Sequence, residues 1–223
     1  MQHSLFGGLA ACTVSPAATE LLSLEALLLD DAAFTVIDLE TTGLSAKKNA
    51  ITEVVAITYR HGEEIGKYAT LVKPTETIPE EVEMLTGISN EMVRQAPPLI
   101  TVLSELMGFL GESPVLVGHN VSFDIGFLRE KLMQSGLDAF LERCELNRSF
   151  CTRVLALKAL PGLPSYEGIM VATAIGYHNP NPHRAEADVR MSAAILEAIL
   201  KQVREKDPTI QTVRHFLDWQ GTL

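Results

Sequence analysis

The sequence predicts an α/β fold in which a mixed sheet, an antiparallel meander extended by parallel strands, is flanked by helices. Two observations indicate this fold class. Segments rich in β-branched and aromatic residues come first, and apolar segments with helical spacing then alternate with a short strand-like one. Strands followed by strand–helix alternation are typical of a sheet covered by helices. With 223 residues and 47% hydrophobic content, the chain is long enough to bury the core that such a fold needs.

Four strands are predicted from local composition. Residues 33–39 are apolar and β-branched, as in a buried strand, and residues 51–59 alternate in polarity. Residues 68–72 form the third strand after a glycine turn, so the first three strands are expected to pair as an antiparallel meander. The fourth strand, over residues 114–118, is short and apolar.

Helices are predicted where apolar residues recur at helical spacing. A loop-and-helix segment covers residues 79–94 and ends before a pair of prolines. The remaining predicted helices span residues 100–110, 123–133, 152–160, 165–176 and 185–204.

The chain divides into three regions. Residues 31–204 form the main domain, residues 1–30 an N-terminal helical extension, and residues 205–223 a short C-terminal tail. In the extension, Ser15 and Pro16 suit the N-cap and the first turn of a leucine-rich helix. Such a helix packs on its own domain or docks on a partner, and both alternatives stay open.

Composition excludes several classes of protein. A net charge of −10 argues against a protein that holds nucleic acid by a broad basic surface. No segment approaches the roughly 18 uninterrupted apolar residues of a membrane helix. A secretory signal is not expected, because the first lysine or arginine is Lys47. The three cysteines lack the spacing of a metal site and fit a reducing cytoplasm.

The motif at residues 36–43 carries two acids. Asp38 and Glu40 lie two positions apart at the end of a buried strand, so both side chains point to the same face of the sheet. Adjacent carboxylates repel each other, and burial raises their pKa values further. A divalent cation removes both penalties, so the pair predicts a metal site. A pair of ordinary surface acids is the alternative, and the apolar neighbours in the strand argue against it.

Two further motifs add two carboxylates and a histidine. Asp124 begins a helix after the strand that ends near His119, and Asp188 lies near the start of another helix. His183 precedes that second helix in a proline-rich loop, where an imidazole can take a proton from water. Taken singly, a helix cap and an exposed loop histidine are the commoner interpretations of Asp124 and His183. His119, at the end of a buried strand, is expected to be structural.

Together, the motifs resemble those of the DEDDh exonucleases, the DnaQ-like branch of the ribonuclease H-like superfamily. The resemblance covers about residues 31–204, and a connector over residues 72–89 is similar to that of the epsilon-type proofreading exonucleases of DNA polymerase III. It implies a ribonuclease H-like fold and a 3′–5′ exonuclease. The five matching residues, in chain order, are Asp38, Glu40, Asp124, His183 and Asp188.

The resemblance also implies a cofactor and a role for each matching residue. Two divalent cations, Mg²⁺ or Mn²⁺, would be held by Asp38, Glu40, Asp124 and Asp188, with Asp38 shared between them. His183 would deprotonate a water for in-line attack on the terminal phosphodiester. Nucleoside 5′-monophosphates would then leave from the 3′ end.

Five further residues are expected to contact the terminal nucleotide. Thr41 and Thr42 would offer backbone and hydroxyl contacts. The connector residues Glu81, Thr86 and Gly87 would frame the terminal sugar and base.

The polymer and the partners stay open on sequence alone. DNA is favoured, in proofreading or repair, because the connector is epsilon-like, and an RNA 3′–5′ exonuclease with the same site is the main alternative. A nuclease-fold binding or assembly module without catalysis is disfavoured by the complete set of five residues. Expected partners are a nucleic acid 3′ end and a polymerase or replication protein, or a second copy joined through the N-terminal helix. A cytoplasmic location without membrane association is expected.

Overall fold

Five strands at the centre of the protein form one mixed sheet. A computed structural model describes residues 26–111, 115–145 and 148–221 of the chain. In chain order the strands are β1 (Phe34–Thr41), β2 (Ile51–Arg60), β3 (Glu63–Leu71), β4 (Val115–Gly118) and β5 (Ser149–Cys151). Across the sheet their order is β3-β2-β1-β4-β5.

The sheet combines antiparallel and parallel pairing. The neighbours β1 and β2, and β2 and β3, pair antiparallel, whereas β4 pairs parallel with both β1 and β5. The predicted mixed sheet is therefore confirmed. β3 begins at Glu63, earlier than the expected residue 68. The sequence does not predict this first half of the strand because it is mostly exposed and lacks an apolar alternation. β5 has no counterpart among the predicted strands, since three residues are too short to show a period.

Helices cover both faces of this sheet and agree closely in position with the predicted ones. Within the described ranges, no helix is both long and apolar enough to cross a membrane. A 3₁₀ helix spans Asp138–Arg143. In chain order the α-helices are α1 (Glu80–Thr86), α2 (Asn90–Val93), α3 (Leu99–Leu110), α4 (Ser122–Gln134), α5 (Thr152–Ala159), α6 (Gly168–Ala174), α7 (Ala185–Lys206) and α8 (Val213–Gln220).

Alternate residues of the central strands face two different cores. Val36 of β1 and Val55 of β2 belong to the core beneath α7, whereas Ile37 and Val54 belong to the core beneath α3 and α4. This division follows from the two-residue period of a strand. α7 packs along β1 and β2 through buried residues such as Ile195. The side chains that follow Val36 on the same face therefore approach the first turn of α7.

The C-terminal segment packs on the core, although residues 205–223 are expected to be a short tail. Val213 and Phe216 of α8 are fully buried. The Phe216 ring centroid lies 4.7 Å from that of Phe150 in β5. Apolar side chains three positions apart on a helix share a face, and here that face is covered by the sheet and α5.

The part of the predicted N-terminal helix before residue 26 lies outside the described residues. Its expected end is not helical. Leu28 forms a β-bridge with Thr212, and the Leu29 N–H donates to the Gln211 carbonyl at 2.9 Å. These bonds occupy backbone groups that a helix would use itself. They also join the first described residues to the segment that precedes α8.

Phe216→Ala should lower the free energy of unfolding by about 3–5 kcal/mol, the usual effect of truncating a buried phenylalanine. The cavity would open between α8 and β5, where the ring is now enclosed. Urea denaturation of the full chain measures this change. His215→Ala, at the exposed neighbouring position, is the matched control. Equal stability of the two variants would contradict the placement of α8 in the core.

Candidate active site

Three carboxylates meet where β1 approaches the first turn of α7. Asp38 and Glu40 continue the face of β1 that begins with Val36, so both side chains emerge beside α7. Asp188 lies in the first turn of α7. One oxygen atom from each of Asp38, Glu40 and Asp188 lies within 4.8 Å of the others. The structure thus brings three of the four predicted metal ligands together from two elements.

Asp188 is oriented through both of its carboxylate oxygens. The Asn179 side-chain amide donates to Oδ1 at 2.7 Å, and the backbone N–H of His183 donates to Oδ2 at 3.0 Å. Asn179 is itself buried. Because each oxygen has a donor, these two hydrogen bonds hold the carboxylate in its orientation toward the acids of β1. Asn179 was not singled out from the sequence, and its position in a loop with two prolines gave no signal for this contact.

Asp124 approaches the backbone of β1 from α4. It lies in the first turn of α4, is almost completely buried, and accepts a hydrogen bond from the Leu39 N–H at 3.1 Å. The pairing of β4 with β1 ends at Val36, so Asp124 satisfies a backbone donor that β4 does not reach. Among the described residues, Asp124 lies outside the group of three clustered acids. Its charge nevertheless acts on Asp38 strongly enough to raise the pKa of that carboxyl.

The electrostatics of the site disfavour ionised carboxylates. Burial, followed by the charge of Asp188, raises the pKa of Glu40 to about 8. Burial also raises the pKa of Asp124 to about 8, against the opposing effect of its bond from Leu39. The pKa of Asp38 is raised well above its usual range by burial and then by the charge of Asp124. In Asp188, burial raises the pKa and the bonds from its two donors oppose that rise.

His183 lies in the loop directly before α7, as the sequence predicts, and its side chain is exposed. Its backbone has a φ of 61°, in the left-handed region that residues other than glycine rarely adopt. The bond from its N–H to Asp188 holds this conformation next to the acidic cluster. The imidazole is therefore attached close to the carboxylates and remains open to solvent.

His119 is a structural residue, as expected. Nε2 lies 3.0 Å from the Tyr166 carbonyl oxygen, and Nδ1 lies 2.9 Å from the Thr152 hydroxyl. Because a carbonyl only accepts, Nε2 carries the proton and Nδ1 accepts from Thr152. Burial lowers the pKa of His119, which favours this neutral form.

Glu53 of β2 also lies beside the site and was missed by sequence reasoning. It is directly opposite Glu40 in the antiparallel register, and it is buried. Its carboxylate accepts from Arg184 Nη2 at 2.9 Å and from the Ala185 N–H at 3.2 Å. An acid inside an otherwise apolar strand was the available signal, but the register that places it next to Glu40 is a tertiary property.

The two threonines predicted to contact a nucleotide bond to the protein itself. The Thr41 hydroxyl donates to the Gly43 carbonyl at 2.7 Å. Thr42 is buried; its hydroxyl donates to Glu76 and accepts from the Ala50 N–H. Both hydroxyls therefore order the loop between β1 and β2. Nucleotide contacts by these threonines stay predictions, and backbone contacts would leave these bonds intact.

The three connector residues differ in exposure. Thr86 is buried and its hydroxyl donates to the Val82 carbonyl while accepting from the Ile88 N–H. Gly87 ends α1 with a φ of 71° and is exposed, and Glu81 is exposed on α1. Thr86 thus serves the turn after α1. Glu81 and Gly87 are open to a ligand, and their contact with a nucleotide stays a prediction.

The donor set of the cluster fits a hard divalent cation. Carboxylate oxygens are the ligands that Mg²⁺ and Mn²⁺ prefer. Within the described part of the chain, the carboxylates of Asp38 and Glu40 form no ion pair and accept no hydrogen bond from a protein donor. A cation would stabilise the ionised form of groups whose pKa values are otherwise raised. The acids of this site are thus suited to holding metal.

The chain matches the family model described as Exonuclease over residues 35–196. It belongs to this exonuclease family. It is 36% identical over 173 residues to DNA polymerase III subunit epsilon of Aquifex aeolicus, covering 78% of this chain and 83% of that protein. It is 35% identical over 176 residues to the PolC-type DNA polymerase III of Clostridium perfringens, covering 79% of this chain but only 12% of that protein. The prediction that the chain is an enzyme of the exonuclease family is confirmed.

Solved structures agree with this family in fold. Exonuclease I of E. coli in complex with a dT13 oligonucleotide superposes with a TM-score of 0.67 at 21% identity, covering 81% of this chain and 42% of that one. A second exonuclease I structure gives a TM-score of 0.66 at 20% identity, covering 85% of this chain and 43% of that one. The predicted ribonuclease H-like fold is confirmed.

Metal-free protein should lose stability as the pH rises. A carboxyl whose pKa is raised in the folded state contributes stability that is fully present below its unfolded value, about 4. That contribution is lost as the pH rises through about 8, the folded pKa of Glu40 and Asp124. We expect the melting temperature in EDTA to fall between about pH 6 and pH 8.5.

Asp38→Asn tests the same repulsion by mutation. It should raise the melting temperature in EDTA at about pH 8, because a buried group that repels the other carboxylates when it ionises is replaced by a neutral one, and it should shrink the stabilisation produced by Mn²⁺. Asp31→Asn, at an exposed position before β1, is the control and should change neither quantity. A flat pH profile together with a less stable Asp38→Asn protein would contradict the electrostatic account.

Proposed function

We propose that the protein is a metal-dependent 3′–5′ exonuclease that releases nucleoside 5′-monophosphates from DNA 3′ ends. The observation that carries this proposal is the convergence of Asp38, Glu40 and Asp188 within 4.8 Å, beside a loop that presents an exposed His183. Membership of the exonuclease family supplies the class of reaction. The geometry supplies residues suited to holding metal and to moving a proton.

The proposed cofactors are two divalent cations, Mg²⁺ or Mn²⁺. Asp38, Glu40 and Asp188 would hold one of them, and Asp38 with Asp124 would hold the second. When bound, such ions make water more acidic and offset the negative charge that develops on the phosphate. Asp124 suits its role because its bond from the Leu39 N–H holds it against the backbone of β1, one residue from Asp38.

His183 is the proposed general base. Its imidazole takes a proton from the attacking water, a role for which histidine is suited near neutral pH. The bond from its backbone N–H to Asp188 keeps the residue next to the acidic cluster while the side chain stays free to turn. Asp188 in turn is held by Asn179, so the positions of the base and the carboxylates are linked.

DNA is the proposed polymer, and proofreading or repair the proposed role. Two facts about relatives support this choice: the one from Aquifex aeolicus is a subunit of DNA polymerase III, and the exonuclease I neighbour was solved with a dT13 oligonucleotide. The chain covers most of the epsilon relative, so a polymerase or replication protein is the proposed partner. A cytoplasmic location completes the proposal.

Degradation of labelled substrates tests the reaction and the polymer together. With Mn²⁺ we expect 5′-labelled single-stranded DNA and 3′-mismatched duplex DNA to shorten from the 3′ end with release of mononucleotides, and EDTA should stop the reaction because the carboxylates need a cation. RNA of the same length and sequence is the comparison. Survival of all three substrates in Mn²⁺ would sink the enzyme proposal, and faster loss of RNA would overturn the choice of DNA.

Substitution at the proposed base gives a second test. His183→Ala should reduce kcat by about 10²- to 10⁴-fold, the usual contribution of a general base, without weakening the Mn²⁺-induced rise in melting temperature. Asp38→Ala should abolish turnover and reduce that rise. His178→Ala, at an exposed position in the same loop, is the matched control and should behave like the wild type. An unchanged kcat in His183→Ala would remove this residue from the mechanism.

A further inference from the structure

One buried carboxylate beside the acidic cluster is not among the proposed metal ligands. Glu53 of β2 lies directly opposite Glu40 of β1, and only 8% of its surface is exposed. Its negative charge adds to the repulsion felt by Asp38 and Glu40. A further acid at this position makes the cluster harder to ionise, and other groups of the protein hold it there.

Both oxygens of Glu53 are occupied by the residues that begin α7. Arg184 Nη2 donates to Oε1 at 2.9 Å, and the Ala185 N–H donates to Oε2 at 3.2 Å. Arg184 Nε lies 3.5 Å from Oε2, so the guanidinium faces the carboxylate with two of its nitrogens. Glu53 therefore points toward α7, and both of its oxygens are already bonded to protein donors rather than available to a metal ion.

Glu53 supplies the cap that the start of α7 lacks in its own sequence. The first N–H groups of a helix have no partner within the helix. Arg184 at the N-cap position forms no side-chain capping bond, and the N–H of Ala185, the first residue of α7, is satisfied by Glu53 instead. A carboxylate at this end of a helix is also favoured by the helix dipole. A residue of the neighbouring strand therefore fixes where α7 begins.

Each of the three consecutive residues at the start of α7 is held by a hydrogen bond or an ion pair. The His183 N–H bonds to Asp188, the Arg184 guanidinium pairs with Glu53, and the Ala185 N–H bonds to Glu53. His183 adopts a φ of 61°, a conformation that persists only where the surroundings determine it. Loss of the Glu53 contacts would leave one of these three restraints.

We propose that Glu53 is a positioning residue for the exonuclease reaction, which through Arg184 and Ala185 holds His183 in place beside the carboxylate cluster. The inference rests on the proposed function, in which His183 takes a proton from water. Glu53 does not touch the reacting atoms in this account. Its contribution reaches the reaction only through the backbone of the residue that carries the base.

A second ion pair between the sheet and α7 provides a matched control. Arg190 of α7 pairs with Glu64 of β3 at 3.0 Å, and both side chains are more exposed than Glu53. The pair joins the same helix to the same sheet, and in the described part of the chain the hydrogen bonds of Arg190 go to Glu64 and Glu186 rather than to the loop before α7. Glu64→Gln therefore removes a strand–helix ion pair without removing a restraint on His183.

Kinetics of the full-length protein with Mn²⁺ and single-stranded DNA test the proposal. Glu53→Gln should lower kcat by about 10²-fold with little change in KM, because a displacement of about 1 Å at a catalytic group has an effect of this size. Glu64→Gln should retain the wild-type kcat. In a His183→Ala background, Glu53→Gln should have little further effect, since a residue that acts through the base has nothing left to position. An equal additional loss in that background, or a wild-type kcat in Glu53→Gln, would overturn the proposal.

A measurement without turnover separates this proposal from the proposed function. In metal-free protein, the backbone amides of His183 and Ala185 should lose hydrogen-exchange protection in Glu53→Gln and keep it in Glu64→Gln. If the wild type proves inactive but the amides respond in this way, the proposed function fails while the positioning contact stands. Unchanged protection would overturn the contact itself. If Glu53→Gln does not fold, Arg184→Gln removes the ion pair at a less buried residue and leaves the Ala185 bond to Glu53 in place. The His183 amide should then lose protection while Ala185 keeps it, and unchanged protection at His183 would overturn the proposal.

Discussion

Repulsion among partly buried carboxylates at the end of β1 is the constraint on which the site depends. Two of the acids are stabilised by hydrogen bonds from the protein. Asp124 accepts from the Leu39 N–H, and Asp188 accepts from the Asn179 side chain and the His183 N–H. Within the described residues, the carboxylates of Asp38 and Glu40 accept no hydrogen bond from the protein, and their pKa values are raised. The fold therefore holds the outer acids in place and leaves the two central ones to be stabilised by a cation. A core built for stability alone would not retain this arrangement.

α7 links this constraint to the rest of the fold. Residues such as Val189 and Ile195 anchor the helix in the core over β1 and β2, and its first turn carries Asp188 to the acids of β1. Because packing fixes the helix and Glu53 bonds to its first residue, the end of the loop that carries His183 is attached to rigid elements. Sites supported in this way keep their geometry better than sites built on loops alone. The exposed imidazole is the part of the site that remains free to move.

The sequence predicts the elements and the motif residues better than the contacts between them. Apolar periodicity is a local property, so it locates most strands and helices, and the five motif residues stand in recognisable local patterns. Glu53 and Asn179 stand in no such pattern, because their roles depend on strand register and on a loop folding back against α7. β5 is too short to carry a period, and the segment with Phe216 joins the core through contacts with distant strands. The bridge between Leu28 and Thr212 is likewise a pairing of chain ends that no local pattern reveals.

Glu40 and Asp124 are expected to hold protons at neutral pH until a bound cation displaces them. Calorimetric titration with Mn²⁺ in buffers of different ionisation enthalpy measures the protons released on binding. Since Glu40 and Asp124 each have a pKa of about 8, both are largely protonated at neutral pH, and metal binding requires deprotonated carboxylates. We expect release of more than one proton per protein at about pH 7, and fewer protons as the pH rises above about 8. Binding of Mn²⁺ with no proton release at about pH 7 would contradict it.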